Sequence, residues 1–138
     1  MADRRPPAKV VFACVANAGR SQMAAAFFNK LAKPQRAYAT SAGTRPADAI
    51  HPEVVSAMQE AGIDLSGAQP QYLSTDLTKD AHIVVTMGCA DDCPLLPGVE
   101  REDWPLEDPK DQPLEKVREV RDDIEKRVKA LIQERQWG

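Results

Sequence analysis

The segment Cys14-Val15-Ala16-Asn17-Ala18-Gly19-Arg20-Ser21 constrains this chain more than any other stretch. It follows the apolar run Val10-Val11-Phe12 and leads into a helix-like run from Gln22 to Leu31. Strand, short loop of small residues and helix, in that order, make an anion trap. A loop that curls there points its backbone N–H groups inward and forms a nest for a tetrahedral oxyanion. The helix that follows adds its own N-terminal N–H groups and its positive dipole end. Val15, Ala16, Asn17, Ala18, Gly19, Arg20 and Ser21 are therefore the expected oxyanion-binding residues, with Cys14 as the nucleophile at their centre. The field that holds an anion also favours thiolate over thiol. Arg20 can clasp two anion oxygens with its planar fork. Ser21 is placed to cap the helix or to hydrogen-bond the sulfur. Asn17 and Gly19 tolerate the positive φ that such a loop needs.

A length of 138 residues fits one domain spanning the chain. The net charge of −3 and the lack of a basic block argue against nucleic acid as a partner. No apolar run approaches the length of a membrane span. Arg4-Arg5 is followed by Pro6-Pro7 and then by no apolar signal core, so residues 1–7 read as a disordered tail. The expected location is the cytoplasm. Three cysteines in such a compartment are not a structural disulfide framework, and an odd count fits catalysis or redox cycling.

Periodicity places strands at Lys9 to Ala13, Arg36 to Ser41, His82 to Thr86 and Val99 to Trp104. It places helices at Ser21 to Leu31, Pro52 to Ala61 and Leu114 to Ile132, with a helical turn at Ser74 to Lys79. In the last helix Leu114, Val117, Val120, Ile124, Val128 and Leu131 form one stripe. Its opposite face carries the acid-first pairs Asp122–Lys126, Asp123–Arg127 and Glu125–Lys129 and reads as solvated. Trp104 reads as a strand-end core aromatic, His82 as a strand residue and Trp137 as part of a frayed end. Alternating strands and helices predict an α/β fold, a parallel sheet with helices on both faces. Ligands in such sheets bind at the carboxyl ends of the strands, where Cys14, the Met87–Cys93 segment and the Trp104–Asp108 segment all fall.

Cys89-Ala90-Asp91-Asp92-Cys93-Pro94 is the second unusual segment. Its two thiols can meet if the segment turns, since a disulfide needs Cα atoms within about 7 Å. Gly88, Pro94, Pro97 and Gly98 frame it for rearrangement. Three readings are open. One is a redox relay with Cys14. Another is structural zinc, which needs two more ligands, while His82 sits in a strand and His51 lies far off in sequence. The third is a pair of inert buried thiols, which the polar Ala-Asp-Asp between them opposes. The expected metal content is none.

In Cys14 to Met23, in Thr86-Met87-Gly88 with the cysteine segment after it, and in Asp108-Pro109, the chain resembles a known family. It is similar to the low-molecular-weight protein tyrosine phosphatase superfamily, and within it to the thioredoxin-coupled arsenate reductases. The resemblance runs from about Lys9 to about Ile132. It implies a four-stranded, flavodoxin-like parallel sheet. It implies arsenate as substrate, with phosphate and sulfate as analogues, and thioredoxin as partner. Cys14, Arg20, Cys89, Cys93 and Asp108 are the catalytic residues it points to: Cys14 takes up the oxyanion, Cys89 attacks next, Cys93 resolves, and Asp108 is the general acid. No prosthetic cofactor is implied, because the electrons come from thioredoxin or another thiol reductant. Ser41 is implied as a support of the Cys14 loop.

The chain also departs from the family pattern. Phosphatases of the family follow Asp-Pro with aromatic residues that hold a phenol ring, whereas this chain has Lys110 and Asp111. That argues against phosphotyrosine as the substrate. Some arsenate reductases of the family bind potassium through an acid on the first helix, and the matching residue in this chain is Ala25. Two alternatives accompany the reductase reading. A phosphoester phosphatase would need only Cys14, Arg20 and Asp108, and a non-catalytic oxyanion-binding thiol sensor would turn nothing over.

Overall fold

Strand β1 (Ala8–Cys14) is the axis of the molecule, and everything that positions its last residue is built around it. A computed structural model of the chain describes residues 6–88 and 98–138. After β1 come α1 (Arg20–Leu31), β2 (Ala37–Gly43), α2 (Pro52–Glu60), α3 (Thr75–Thr78), β3 (Ile83–Thr86), β4 (Glu100–Asp103) and α4 (Leu114–Arg135). The strands form one four-stranded sheet in the order β2-β1-β3-β4, and every pair is parallel. This is the expected α/β, flavodoxin-like arrangement.

The register aligns the carboxyl ends. Cys14 pairs with Gly43, Ala13 with Thr86, and Thr86 with Asp103. Four segments therefore leave the sheet side by side at its carboxyl end, where a parallel sheet places its ligand.

Side chains of β1 alternate between two apolar clusters, as the period of a strand demands. Val10, Phe12 and Cys14 face the larger cluster, with Phe27 and Phe28 of α1, Val54 and Met58 of α2, and Ile124 and Val128 of α4. Val11 and Ala13 face the smaller one, with Val84, Leu73 and Ala81, flanked by Leu77 of α3. Both faces are covered, but unequally: among the described residues α1, α2 and α4 lie on one side and the four-residue α3 on the other. β4 is an edge strand, and its sequence Glu-Arg-Glu-Asp is mostly exposed. Charge along an open edge discourages pairing with another chain.

Two side chains differ from expectation. His82 precedes β3 and is exposed, its backbone N–H donating to the Lys9 carbonyl at 2.8 Å. Trp137 is buried, not frayed. Gln136 closes α4 in the left-handed conformation, and the Trp137 N–H donates back to the Ile132 carbonyl at 2.9 Å. That closing bond turns the chain inward. The indole then packs edge-on against Phe28, and its backbone carbonyl accepts from the Lys33 N–H. Of the expected tail, Pro6 and Pro7 are exposed and outside any element, and residues 1–5 lie outside the described residues.

Candidate active site

β1 ends at Cys14, α1 begins at Arg20, and the five residues between them turn the chain through a tight loop. The conformation of that loop is set from outside. The carbonyls of Cys14, Val15, Ala16 and Ala18 accept from the N–H groups of Thr44, Arg45, Ala47 and His51, at 2.8–3.1 Å. The segment after β2 thus engages the loop's oxygens in turn. Drawing the carbonyls outward leaves the loop's N–H groups to the interior, which makes a nest. α1 carries no acidic residue in its first turn, so nothing on the helix itself competes for its dipole end.

Gly43 allows this approach. A Cβ there would stand 2.5 Å from the Val15 carbonyl oxygen and 2.9 Å from the Asn17 nitrogen. The positive φ expected of the loop occurs at Asn17, with φ 50, in the left-handed region. Gly19 does not use it, because its φ is −146. Its lack of a side chain serves close packing instead: a Cβ would lie 3.1 Å from Pro109 Cγ and 3.6 Å from the His51 ring.

Cys14 is buried, with 2 % of its surface exposed. Its Sγ accepts from the Asn17 backbone N–H at 3.2 Å and lies 2.8 Å from Ser21 Oγ. Ser21 is inside α1 and does not cap it; of the two tasks expected of it, the structure selects the contact with sulfur. Asn17 Nδ2 donates to Ser21 Oγ at 2.7 Å, which leaves the hydroxyl proton free to point at Cys14. The amide orientation is fixed at its other end, where Asn17 Oδ1 accepts from the Gln71 N–H at 2.9 Å. The Asn17 N–H and the Ser21 hydroxyl thus converge on the sulfur.

Arg20 is buried along its side chain, and its Nη1 end lies against Gly88, where a Cβ would overlap it. Its Nη1 donates to the Leu106 carbonyl at 3.1 Å, and its Nη2 stands 3.6 Å from Asp108 Oδ2. Asp108 is half-exposed, and its Oδ1 accepts from the Lys110 N–H at 3.0 Å. Pro109 is buried against Gly19, so the Asp-Pro pair is seated on the loop that holds Cys14. Lys110 and Asp111 are exposed.

Arg20 thus joins the loop that holds Cys14, Asn17 and Ser21 to Asp108, which is far from it in sequence. Cys89 and Cys93 lie outside the described residues; Gly88, the residue before Cys89, is the one packed on Arg20. Ser41 pairs with Phe12 in the sheet, and its carbonyl accepts from the Gln71 side chain at 2.7 Å. Direct contact with the loop falls to Gln71, whose type and spacing carry no sequence signal. The 44–51 segment gives none either, because it acts through backbone N–H groups. Trp104 is core, tilted against Phe12. Among the described residues no cluster of three or more His, Cys, Asp or Glu is arranged to hold a metal. No helix among them is long and apolar enough to cross a membrane.

Comparison with known proteins places this geometry. Residues 9–136 match the family model described as low molecular weight phosphotyrosine protein phosphatase. A Halobacterium salinarum protein provisionally named an arsenate reductase is 46 % identical over 131 residues, covering 91 % of this chain and 92 % of the relative. A glutaredoxin arsenate reductase of a Synechocystis species is 37 % identical over 127 residues, covering 90 % of this chain and 95 % of the relative. The solved structure of a thioredoxin-dependent arsenate reductase from Corynebacterium glutamicum superposes with a TM-score of 0.83 at 37 % identity. That match covers 97 % of this chain, which spans 64 % of the length of the Corynebacterium one.

Proposed function

Because the chain belongs to the low-molecular-weight phosphotyrosine protein phosphatase family, we propose that it is the arsenate reductase that its relatives' names describe. One observation carries the reading: relatives named for arsenate reduction align over nine-tenths of the chain, including the Cys14 loop. The exposed Lys110 and Asp111 agree with it, since they offer no wall for a phenol ring.

Arsenate has the shape and charge of phosphate and enters the nest, where Arg20 turns its fork to two oxygens. The Cys14 thiolate attacks arsenic. Asp108 donates a proton to the departing oxygen, which leaves as water. The Cys89 thiolate then attacks Cys14 Sγ. The sulfur–arsenic bond breaks, its electron pair stays on arsenic, and arsenic(V) becomes arsenic(III). Arsenite leaves, and a Cys14–Cys89 disulfide remains. Cys93 attacks Cys89, releasing the Cys14 thiolate and forming Cys89–Cys93. A low-potential dithiol of the thioredoxin type reduces that bond by exchange. Electrons come from thiols at every step, so the proposal includes no resident cofactor. A thiol relay needs a reducing compartment, and the cytoplasm supplies one.

The test is a stoichiometry. Fully reduced protein is mixed with arsenate without a reductant, and free thiols and arsenite are counted. The reading requires two thiols lost for each arsenite released. Unchanged thiols with hydrolysis of an aryl phosphate would make the chain a phosphatase, and no change of either kind would make it a binding module. Adding thioredoxin or glutaredoxin with its own reductase then identifies the electron donor by which one sustains turnover.

A further inference from the structure

Gln22 follows Ser21 on α1, is buried, and has no part in the chemistry of the thiol relay. Its Nε2 faces three oxygens: the Asn17 carbonyl at 3.1 Å, Asn17 Oδ1 at 3.1 Å and the Gln69 carbonyl at 3.2 Å. These contacts fix the amide's orientation, because the reverse would set its own oxygen against all three. Two hydrogens serve three acceptors, so at least one hydrogen is shared.

Asn17 is fully enclosed, and each of its polar groups is engaged. Its N–H donates to Cys14 Sγ, its Nδ2 to Ser21 Oγ, and its Oδ1 accepts from Gln71 as well as Gln22. Its carbonyl has Gln22 as partner. It is also the loop residue in the left-handed region, a conformation that persists only where the surroundings over-determine it. The neighbouring carbonyls are held by backbone N–H groups of the 44–51 segment, but that of Asn17 is held by a side chain. Gln22 thus completes the outward turn of the loop's oxygens at the residue whose N–H points at the nucleophile.

We infer that Gln22 is a positioning residue of this site: its amide fixes Asn17, and through Asn17 it sets Ser21, the Cys14 sulfur and the inward N–H groups of the anion nest. The inference rests on the arsenate reductase reading for which oxyanion enters the nest, but the coupling of Gln22 to Cys14 does not depend on it. Removing the donors while keeping the bulk leaves the buried Asn17 carbonyl without its partner and Asn17 Oδ1 with the Gln71 N–H alone, and the loop must relax to compensate. Weaker anion binding and a less reactive sulfur follow together.

Gln22→Met keeps the length and approximate volume of the side chain and removes both donors. Two quantities are read on the reduced protein, well below each variant's Tm. One is the Kd for inorganic phosphate by calorimetry. The other is the rate of iodoacetamide alkylation of Cys14, followed on its own peptide. The expected result is a Kd raised about tenfold or more, with alkylation slowed severalfold. Asn17→Ala should do the same, and adding Gln22→Met to it should change either quantity by less than about twofold, the non-additivity of residues that act as one unit. If Gln22→Met does not fold, Gln22→Glu has the same length, lacks the donors at neutral pH and serves in its place. A lowered Tm with both quantities within about twofold of the parent would reduce Gln22 to a structural residue and overturn the inference. Full additivity with Asn17→Ala would overturn it too. Should the parent bind phosphate yet release no arsenite from arsenate, the reductase reading fails while the Gln22 result stands. Should it bind no phosphate, the alkylation arm decides alone.

Discussion

Gly88 shows how one hydrogen atom in place of a methyl group can decide a site. Its φ is +90, and a Cβ would overlap Arg20 Nη1. Gly88→Ala therefore faces two penalties. The backbone conformation costs an L-residue about 1–2 kcal/mol. The guanidinium must also move off the backbone, which its flexible stem permits, and so the damage goes to the position of the fork and not to the fold. The expected outcome is a Tm lowered by several degrees and a kcat/KM for arsenate lower by on the order of 10- to 100-fold, the scale of a lost charge-assisted contact. Steady-state kinetics beside a melting curve separates the two, and an unchanged kcat/KM would mean that Arg20 is not held by this contact. The sequence signals the groups to which the proposed mechanism gives chemistry, Cys14 and Arg20 by their spacing around a short loop and Asp108 by its place in the family pattern. It does not signal Gly43 or Gly88 in this role. Their glycine is required by the approach of a distant segment, the Asn17 loop for one and Arg20 for the other. Gly19 is legible as a loop glycine, but for the wrong reason: Pro109, ninety positions on, needs its missing Cβ.

At the scale of elements, α2 and α4 are joined by a charge cluster that makes acid stability a local property. Glu60, at the end of α2, accepts from Arg118 Nε and Nη2 at 2.9 and 2.7 Å and from Arg121 Nη1 at 3.0 Å. The two-pronged hydrogen bond from Arg118 is the main cause that lowers its pKa from 4.5 to about 2; partial burial opposes it, and Arg121 adds to it. The folded value lies below the ordinary one. The pairing therefore stabilises the fold fully above about pH 4.5 and is lost as the pH falls from there toward about 2. Glu60→Gln should lower the Tm by a few degrees at most at pH 7, because the cluster is partly exposed. The gap between parent and variant should close as the pH approaches 2. Melting curves of both proteins across that range check it, and a gap independent of pH would assign the effect to packing. Within α4 the apolar stripe is legible because its 3.6-residue period is unbroken, and Val117, Val120, Ile124, Val128 and Leu131 are all buried. Of the three expected acid-first pairs, Asp123–Arg127 and Glu125–Lys129 form, while Asp122 joins Arg121. Trp137 escapes the pattern because it lies past the helix, and only the left-handed turn at Gln136 brings it back onto Phe28.

At the scale of the whole molecule, the order β2-β1-β3-β4 brings the candidate site together from three places in the chain. Alternating strands and helices with right-handed crossovers leave few other orders, which is why the sheet is legible before any contact is known. The same order makes β3 the neighbour of β1, so the segment after Thr86 departs beside the Cys14 loop, and Gly88 already touches Arg20. Cys89 is the next residue, one peptide link or about 3.8 Å between Cα atoms further on. Joining Cys14 to Cys89 requires Cα atoms within about 7 Å. The proposed first disulfide asks Cys89 to meet that limit, and the fold sets Gly88, its neighbour in sequence, against Arg20. The second asks for more: Cys89 must turn from Cys14 to Cys93, carrying the oxidising equivalent away from a nucleophile that is 2 % exposed. A buried disulfide is a poor substrate for a partner dithiol, because exchange needs in-line access to sulfur. In the proposed relay Cys93 therefore supplies access, and the arsenic chemistry would proceed without it. Cys93→Ser should reduce arsenate once, release about one arsenite per chain, and stall with Cys14 bonded to Cys89 while thioredoxin stays in excess. Cys89→Ser should release none, yet keep slow hydrolysis of an activated aryl phosphate, since Cys14, Arg20 and Asp108 are untouched. Peptide mapping of the stalled protein, with arsenite counted per chain, reads both. Repeated turnover of Cys93→Ser with thioredoxin would mean that the partner reaches the Cys14–Cys89 bond directly, and that Cys93 is not what makes the oxidising equivalent accessible.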